Sequence, residues 1–328
     1  YPASITKVMT ALLVSEAIDR GELSQDQMIT VSSTSQFDLS ADGSTANLKP
    51  GEVISVKDLM YCLLLPSANE AANILAEAVC GDVASFIELM NQRAKELGMN
   101  DTTFKNATGL PAEGHVTSAY DIALMSRELI LHHPDIRQYT TIWMDSLRGG
   151  ASELVNTNKL IRFYDGATGL KTGSTDSALY CLSGTAERDG MELIAVILKD
   201  ATSAQRFEDA KTLLSYGFST YTLEHMTPRE ALPPVEVRLG TQATVQPVLE
   251  EGSALLLEKA RAGNLEQSVS LAEAVEAPVA KGTPLGTLTV TSGEETVAEL
   301  PLVAGEEIPR ITFGQMLLRV LQTAFLAG

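Results

Sequence analysis

Apolar positions in the first two thirds of the chain recur at helical spacing. Val8 to Ile18 is nearly unbroken in apolar character, which predicts a helix buried on all sides and closed by Asp19-Arg20-Gly21. Further helices are predicted over 56–65, halted by Pro66, over 69–79, over 83–97 ending at Gly98, over 121–132 before Pro134, and over 204–217. Ser32 to Pro50 is dominated by Ser, Thr, Asp and Gly and reads as a long loop. Two apolar runs, 178–186 and 191–198, flank the polar pair Asp189-Gly190, a strong hairpin signal. After Leu232-Pro233-Pro234 the pattern changes to short alternating runs such as Val235 to Leu239 and Ala254 to Leu257, the signature of a small all-β domain. Helical spacing returns at the end, with Phe313, Met316, Leu317, Val320, Leu321, Ala324 and Phe325 on one stripe and Arg319 as the one charge in 311–328. Two readings fit that stripe: a helix packed on the protein, and an amphipathic anchor lying on a membrane.

The expected organisation is therefore an α+β domain over 1–232, a small β-rich domain over 233–310 and a C-terminal helix over 311–328. The length of 328 residues accommodates two domains with ample core. A net charge of −18, with twelve acids against five bases in 233–310, argues against polyanion binding, so nucleic acid is set aside. Cys62, Cys80 and Cys181 are too few and too scattered for a disulfide scaffold or a zinc site, and each sits in an apolar stretch. The histidines, His115, His132, His133 and His225, form no metal-binding spacing and offer no obvious partner for a serine triad. No metal or cofactor is expected. The chain opens at Tyr1 without a methionine or a leader, which reads as a processed or truncated piece of a longer protein.

Ser4-Ile5-Thr6-Lys7 is the one Ser-x-x-Lys in the chain. Residues three apart share a helix face, so the lysine can reach the serine hydroxyl, and a desolvated neutral lysine can take its proton. By itself the motif is short enough to arise by chance, with Ser4 a helix cap and Lys7 a surface cation. Ser67-Ala68-Asn69 follows Pro66 at a corner between two helices; it offers a hydroxyl to relay a proton and an amide to hold a substrate, or else an ordinary helix start. Lys171-Thr172-Gly173 precedes the hairpin and is placed on a strand at the edge of a sheet, where Gly173 lets a ligand approach the backbone. The order Ser-x-x-Lys, Ser-x-Asn, Lys-Thr-Gly is far more specific than any one of the three.

With these residues the chain resembles the low-molecular-mass penicillin-binding proteins, the serine D-Ala-D-Ala carboxypeptidases of the S11 type. The resemblance extends to Pro2 through Thr10, to Phe104-Lys105-Asn106-Ala107-Thr108-Gly109-Leu110 with Thr117 through Ala123, and to Asn156-Thr157-Asn158-Lys159-Leu160 ahead of Gly169 through Gly173. It covers essentially the whole chain. It implies a β-lactamase/DD-peptidase-like α+β fold with an antiparallel sheet flanked by helices, then a small β domain and a membrane-associating helix. The family has two strands before the nucleophile helix, so the sheet here is expected to lack them. The implied reaction is acylation of Ser4 by a peptidoglycan stem peptide ending in D-Ala-D-Ala, with Lys7 as general base, Lys171 favouring its neutral form, Ser67 passing a proton to the leaving D-alanine and Asn69 orienting the substrate amide. The backbone of Ser4 and Ser174 would form the oxyanion hole. Thr172, Lys171 and Arg206 would receive the terminal carboxylate, against the plainer reading of Arg206 as an exposed helix residue. β-Lactams are implied as covalent inhibitors, and the location as the outer face of the cytoplasmic membrane. Alternatives on the same residues are a β-lactamase, whose deacylating acid could only be Glu153, a DD-endopeptidase or transpeptidase, and a silent peptidoglycan-binding protein.

Overall fold

The computed structural model describes every residue except 38, 40–42, 251 and 319–328. The chain divides into two compact units, 1–218 and 219–328.

The first unit is organised by helix α1, Lys7–Asp19, in which every residue from Lys7 to Val14 is buried. Such a helix has no solvent face to give up, and it becomes the axis around which the other elements pack. Helices α2 (Val56–Leu64), α3 (Asn69–Cys80), α4 (Val83–Glu96) and α5 (Ala119–His132) surround it. One continuous core, including Val8, Leu12, Leu63, Leu75, Phe86 and Phe104, links all five. Their ends follow the local chemistry. Ser55, Asp82 and Ser118 cap α2, α4 and α5 by accepting the N–H groups of Asp58, Ser85 and Asp121. Gly81 closes α3 at φ 84°.

Two short strands, β1 (Met28–Thr30) and β2 (Val53–Ser55), pair across the base of the polar 32–50 loop. A hairpin of β3 (Met144–Leu147) and β4 (Ser152–Val155) precedes the main antiparallel sheet, whose order is β5 (Ala167–Thr175), β6 (Leu179–Arg188), β7 (Met191–Asp200). The β6–β7 hairpin turns at Asp189 and Gly190, with φ of 51° and 77°, the double positive φ of the tight hairpin turn that this dipeptide favours. Helix α6, Ser203–Thr220, follows β7. The antiparallel sheet between helices is the α+β arrangement expected from the sequence.

Among the described residues of 221–310 the second unit is all-β apart from one short helical turn at Lys259–Ala262. Its largest sheet has four antiparallel strands in the order Pro247–Leu249, Glu295–Ala304, Pro284–Ser292, Leu265–Leu271. Tyr221–His225 forms a strand that the sequence pattern did not disclose; it pairs with Ala254–Glu258. Residues 313–318 are helical, and Phe313, Met316, Leu317 and Leu318 are exposed. The remainder of the amphipathic stripe, including Val320, Leu321, Ala324 and Phe325, lies outside the described residues. No helix among the described residues is long and apolar enough to cross a membrane.

Candidate active site

Three segments far apart in sequence converge at the N-terminal end of α1. The first is a 3-10 turn, Ala3–Thr6, that leads into the helix. The α-helix itself starts at Lys7, so Ser4 occupies this tighter turn rather than the first α-helical turn. Ala3 holds a φ of 49°, a left-handed conformation costly for a side chain with a Cβ. The turn is braced from two sides. On one side Gly109, at φ 87°, lies so close that a Cβ built on it would fall 1.9 Å from the Ala3 carbonyl oxygen and 2.9 Å from the Ser4 nitrogen. On the other, a Cβ on Gly173 would stand 3.0 Å from the Ser4 nitrogen. Glycine at both positions is what lets backbone approach the Ser4 turn.

Lys7 is fully buried and its Nζ donates to Ser4 Oγ at 3.1 Å, Asn69 Oδ1 at 2.8 Å and the Thr108 carbonyl at 2.7 Å. Burial holds its ammonium well below the ordinary lysine range, and Lys171 pushes it lower still, while Glu70 acts in the opposite sense. The lysine thus stands buried, with its proton affinity lowered, beside the Ser4 hydroxyl. Thr108 belongs to the loop that carries Gly109, and that loop is itself tied to the nucleophile helix through the Thr10 hydroxyl, which donates to the Ala107 carbonyl at 2.9 Å.

The second segment is the corner between α2 and α3. Ser67 has a φ of 68°, and its buried Oγ has no hydrogen-bond partner among the described residues. A strained backbone and an unpaired buried hydroxyl at one residue are costs that a structural cap would not carry. The N-cap of α3 is Ala68, so the plain helix-start reading of Ser67 does not hold.

The third segment is β5. Among the described residues it pairs only with β6, which leaves its other edge facing the site, as the edge position of Lys171-Thr172-Gly173 predicted. Lys171 is buried, and its Nζ donates to the Thr172 carbonyl at 3.0 Å. Burial, with Arg206 as a second cation, lowers its ammonium to about 7. The Thr172 hydroxyl lies 2.6 Å from that of Thr157, and Ser174 is exposed at the next-but-one position along the strand. Arg206 is not an exposed helix residue. It is 7% exposed, with Nη1 donating to the carbonyls of Gly173 at 3.0 Å and Cys181 at 3.2 Å. It therefore ties α6 to β5 and β6 at the glycine beside the nucleophile.

Sequence reasoning singled out Ser4, Lys7 and Asn69, whose side chains meet here, and missed several residues that hold them. Thr108 acts through its carbonyl, which no residue type announces. Glu70, an acid within an apolar Ala-rich helix, was a legible signal. So was His115, a buried imidazole 2.9 Å from the Thr6 hydroxyl between the motif's serine and lysine.

Comparison with known proteins bears on this arrangement directly. Residues 1–202 match the family model described as D-alanyl-D-alanine carboxypeptidase. The chain belongs to that family. Its members here include the D-alanyl-D-alanine carboxypeptidase DacF of Bacillus subtilis, 36% identical over 325 residues that span 98% of this chain and 82% of that protein. DacC of Escherichia coli is 32% identical over 94% of this chain and 78% of that one. Residues 224–310 of this carboxypeptidase match the C-terminal domain model of penicillin-binding protein 5. Among solved structures, a PBP3 from Streptococcus pneumoniae superimposes with a TM-score of 0.78 at 28% identity, covering 94% of this chain and 92% of that chain. Penicillin-binding protein D2 of Listeria monocytogenes, solved in a cefotaxime-bound form, is 39% identical over 66% of this chain and 86% of that chain, with a TM-score of 0.60. The fold, the family and the serine-type carboxypeptidase function implied by the motifs are those of these relatives.

Proposed function

We propose that Ser4 is the acylated nucleophile of this carboxypeptidase and that its substrate is a peptidoglycan stem peptide ending in D-Ala-D-Ala. The observation that carries the assignment is the 3.1 Å contact between Ser4 Oγ and the fully buried Nζ of Lys7. In the first step Lys7 takes the hydroxyl proton as Oγ bonds to the carbonyl carbon of the scissile peptide. The tetrahedral oxyanion is held by backbone N–H groups of Ser4 and Ser174. Collapse breaks the C–N bond, and the proton reaches the departing amine of D-alanine through Ser67. Water then cleaves the ester and restores Ser4. Asn69 orients the substrate amide, and Thr172, Lys171 and Arg206 receive the terminal carboxylate. Arg206 reaches the strand through Gly173, so it serves the carboxylate pocket by fixing β5 as well as by charge.

The same attack on a β-lactam carbonyl leaves no departing fragment, which supports β-lactams as covalent inhibitors. Glu153, the one acid that a β-lactamase reading could use, is exposed on β4, which favours a long-lived penicilloyl ester over turnover. We further assign 1–232 as the catalytic domain and 233–310 as an accessory β domain, and propose from its substrate that the enzyme works at the outer face of the cytoplasmic membrane; a membrane contact through the stripe over 311–328 falls largely on residues 319–328, outside the described residues. Release of free D-alanine from a peptide ending in D-Ala-D-Ala, together with labelling by a fluorescent penicillin, tests the reading. Ser4→Ala must lose both; full labelling of that variant would place the nucleophile elsewhere.

A further inference from the structure

Glu70 stands one residue after Asn69, in the first turn of α3, with 1% of its surface exposed. Its Oε1 accepts three hydrogen bonds from one stretch of the polar loop: the Thr45 hydroxyl at 2.7 Å, the Ala46 N–H at 2.7 Å and the Leu48 N–H at 3.4 Å. Its Oε2 is buried and has no hydrogen-bond partner among the described residues. Three donors on one oxygen can be satisfied by an amide as well as by a carboxylate. A buried carboxylate with one bare oxygen is the more costly choice unless its charge has a use.

The use lies across the site. Lys7 and Lys171 are both buried, and neither takes part in any ion pair among the described residues. We propose that Glu70 is a positioning residue of the acylation machinery, whose carboxylate both pins residues 45–48 against the Ser67–Asn69 corner and supplies the negative counter-charge for Lys7. The proposal rests on the assignment of Lys7 as general base.

The same stretch pins the corner a second time, because the Asn69 N–H donates to the Ser44 carbonyl at 2.9 Å. Electrostatically, Lys7 feels Lys171 from β5, which favours its neutral form, and Glu70 from α3, which favours its charged form. Arg206 of α6 acts on Lys171, whose charged form it disfavours. His115, on the loop beyond Thr6, is held neutral by burial, at about 4. Around Glu70 itself stand Arg148, whose guanidinium it favours, and the buried Cys62 thiol. Glu70 is therefore the acid whose removal shifts Lys7 toward the neutral base. That gives an unusual sign: deleting an acid beside a catalytic centre extends acylation to lower pH.

The test is the second-order rate of acylation by a fluorescent penicillin, followed from acidic to alkaline pH, on the full chain. Glu70→Gln keeps an acceptor for the loop and removes the charge, and its acid limb should move down by about one pH unit. Glu70→Met removes the charge in a second way and must shift in the same direction, so one folded variant of the two suffices. Glu70→Asp restores the wild-type limb. Thr45→Val takes away one loop donor without touching the charge and leaves the limb in place. An acid limb in the charge-removing variants that superimposes on wild type, or moves up, overturns the proposal. Lys7→Ala separates the two readings. If it acylates at the wild-type rate, the base assignment fails and this inference with it; if it is inert while the Glu70 variants show no shift, only this inference fails.

Discussion

Asn69 Oδ1 accepts a hydrogen bond from Lys7 Nζ at 2.8 Å, joining residues 62 apart in sequence at the centre of the site. A neutral amide oxygen can hold the lysine in place without fixing its proton, because it stabilises the ammonium only weakly compared with a carboxylate. That distinction is testable. Asn69→Asp puts a negative charge within hydrogen-bonding distance of Nζ and should raise the lysine's proton affinity by about 1 to 3 pH units. Acylation at neutral pH should fall by roughly 10- to 1000-fold and its acid limb should move up. Stopped-flow penicillin acylation across pH reads the shift, and an unchanged limb would separate Lys7 from proton abstraction.

Lys171 sets the other limb. Burial, with Arg206 nearby, lowers its ammonium to about 7, so the cation proposed to meet the substrate carboxylate is present below that pH and lost above it. The KM for a D-Ala-D-Ala peptide should rise as pH passes upward through about 7, with kcat less affected because bound carboxylate restores the proton. Lys171→Arg stays charged and should flatten the basic limb of KM even where kcat falls. A KM profile of wild type that is flat across neutrality would contradict the burial-driven shift.

The same burial has a thermodynamic consequence. The folded state holds Lys171 far below the ordinary 10.5, so the unfolded chain binds a proton that the folded chain has released at intermediate pH. The penalty for a buried ammonium is therefore complete below about 7 and fades as pH rises toward the ordinary lysine value. Lys171→Met should be more stable than wild type in denaturant titrations at acidic pH, and the difference should shrink steadily toward alkaline pH. A difference that grows with pH would have the wrong sign.

Gly109 and Gly114 form a matched pair of controls on one loop. Both have positive φ, at 87° and 74°, but a Cβ on Gly109 would collide with the Ala3 backbone at 1.9 Å, whereas one on Gly114 meets only the flexible Lys105 side chain, at 3.2 Å. Gly109→Ala should cost about 3 kcal/mol or more and abolish acylation, since the Ser4 turn has to move. Gly114→Ala should cost about 1 kcal/mol and leave the acylation rate intact. Thermal melts and penicillin labelling of the two variants provide the comparison.

Much of the site is written in the sequence because its chemistry depends on residue type at short spacing. Ser4 and Lys7, Ser67 and Asn69, and Lys171 through Gly173 are each local units, and their order along the chain identified the family before any contact was known. The helices α1 to α6 and the β6–β7 hairpin were legible for the same reason: 3.6-residue periodicity, caps and the Asp189-Gly190 turn are local signals. What pattern could not supply was the tertiary setting of each group. The exposed-or-buried status of Arg206 is one case, since its helix shows the arginine but not the two strand carbonyls it meets.

The same division governs reactivity. The sequence by itself determined which groups stand in the family's order: a serine, two lysines and an amide. Only the tertiary structure decided their states. The fold buries Lys7 among Ser4, Asn69 and the Thr108 carbonyl, which lowers its proton affinity, with Lys171 and Glu70 pulling in opposite directions. Desolvation and Coulomb interactions depend on distances through space, and those distances join residues 4, 69, 108 and 171 only once the chain has folded.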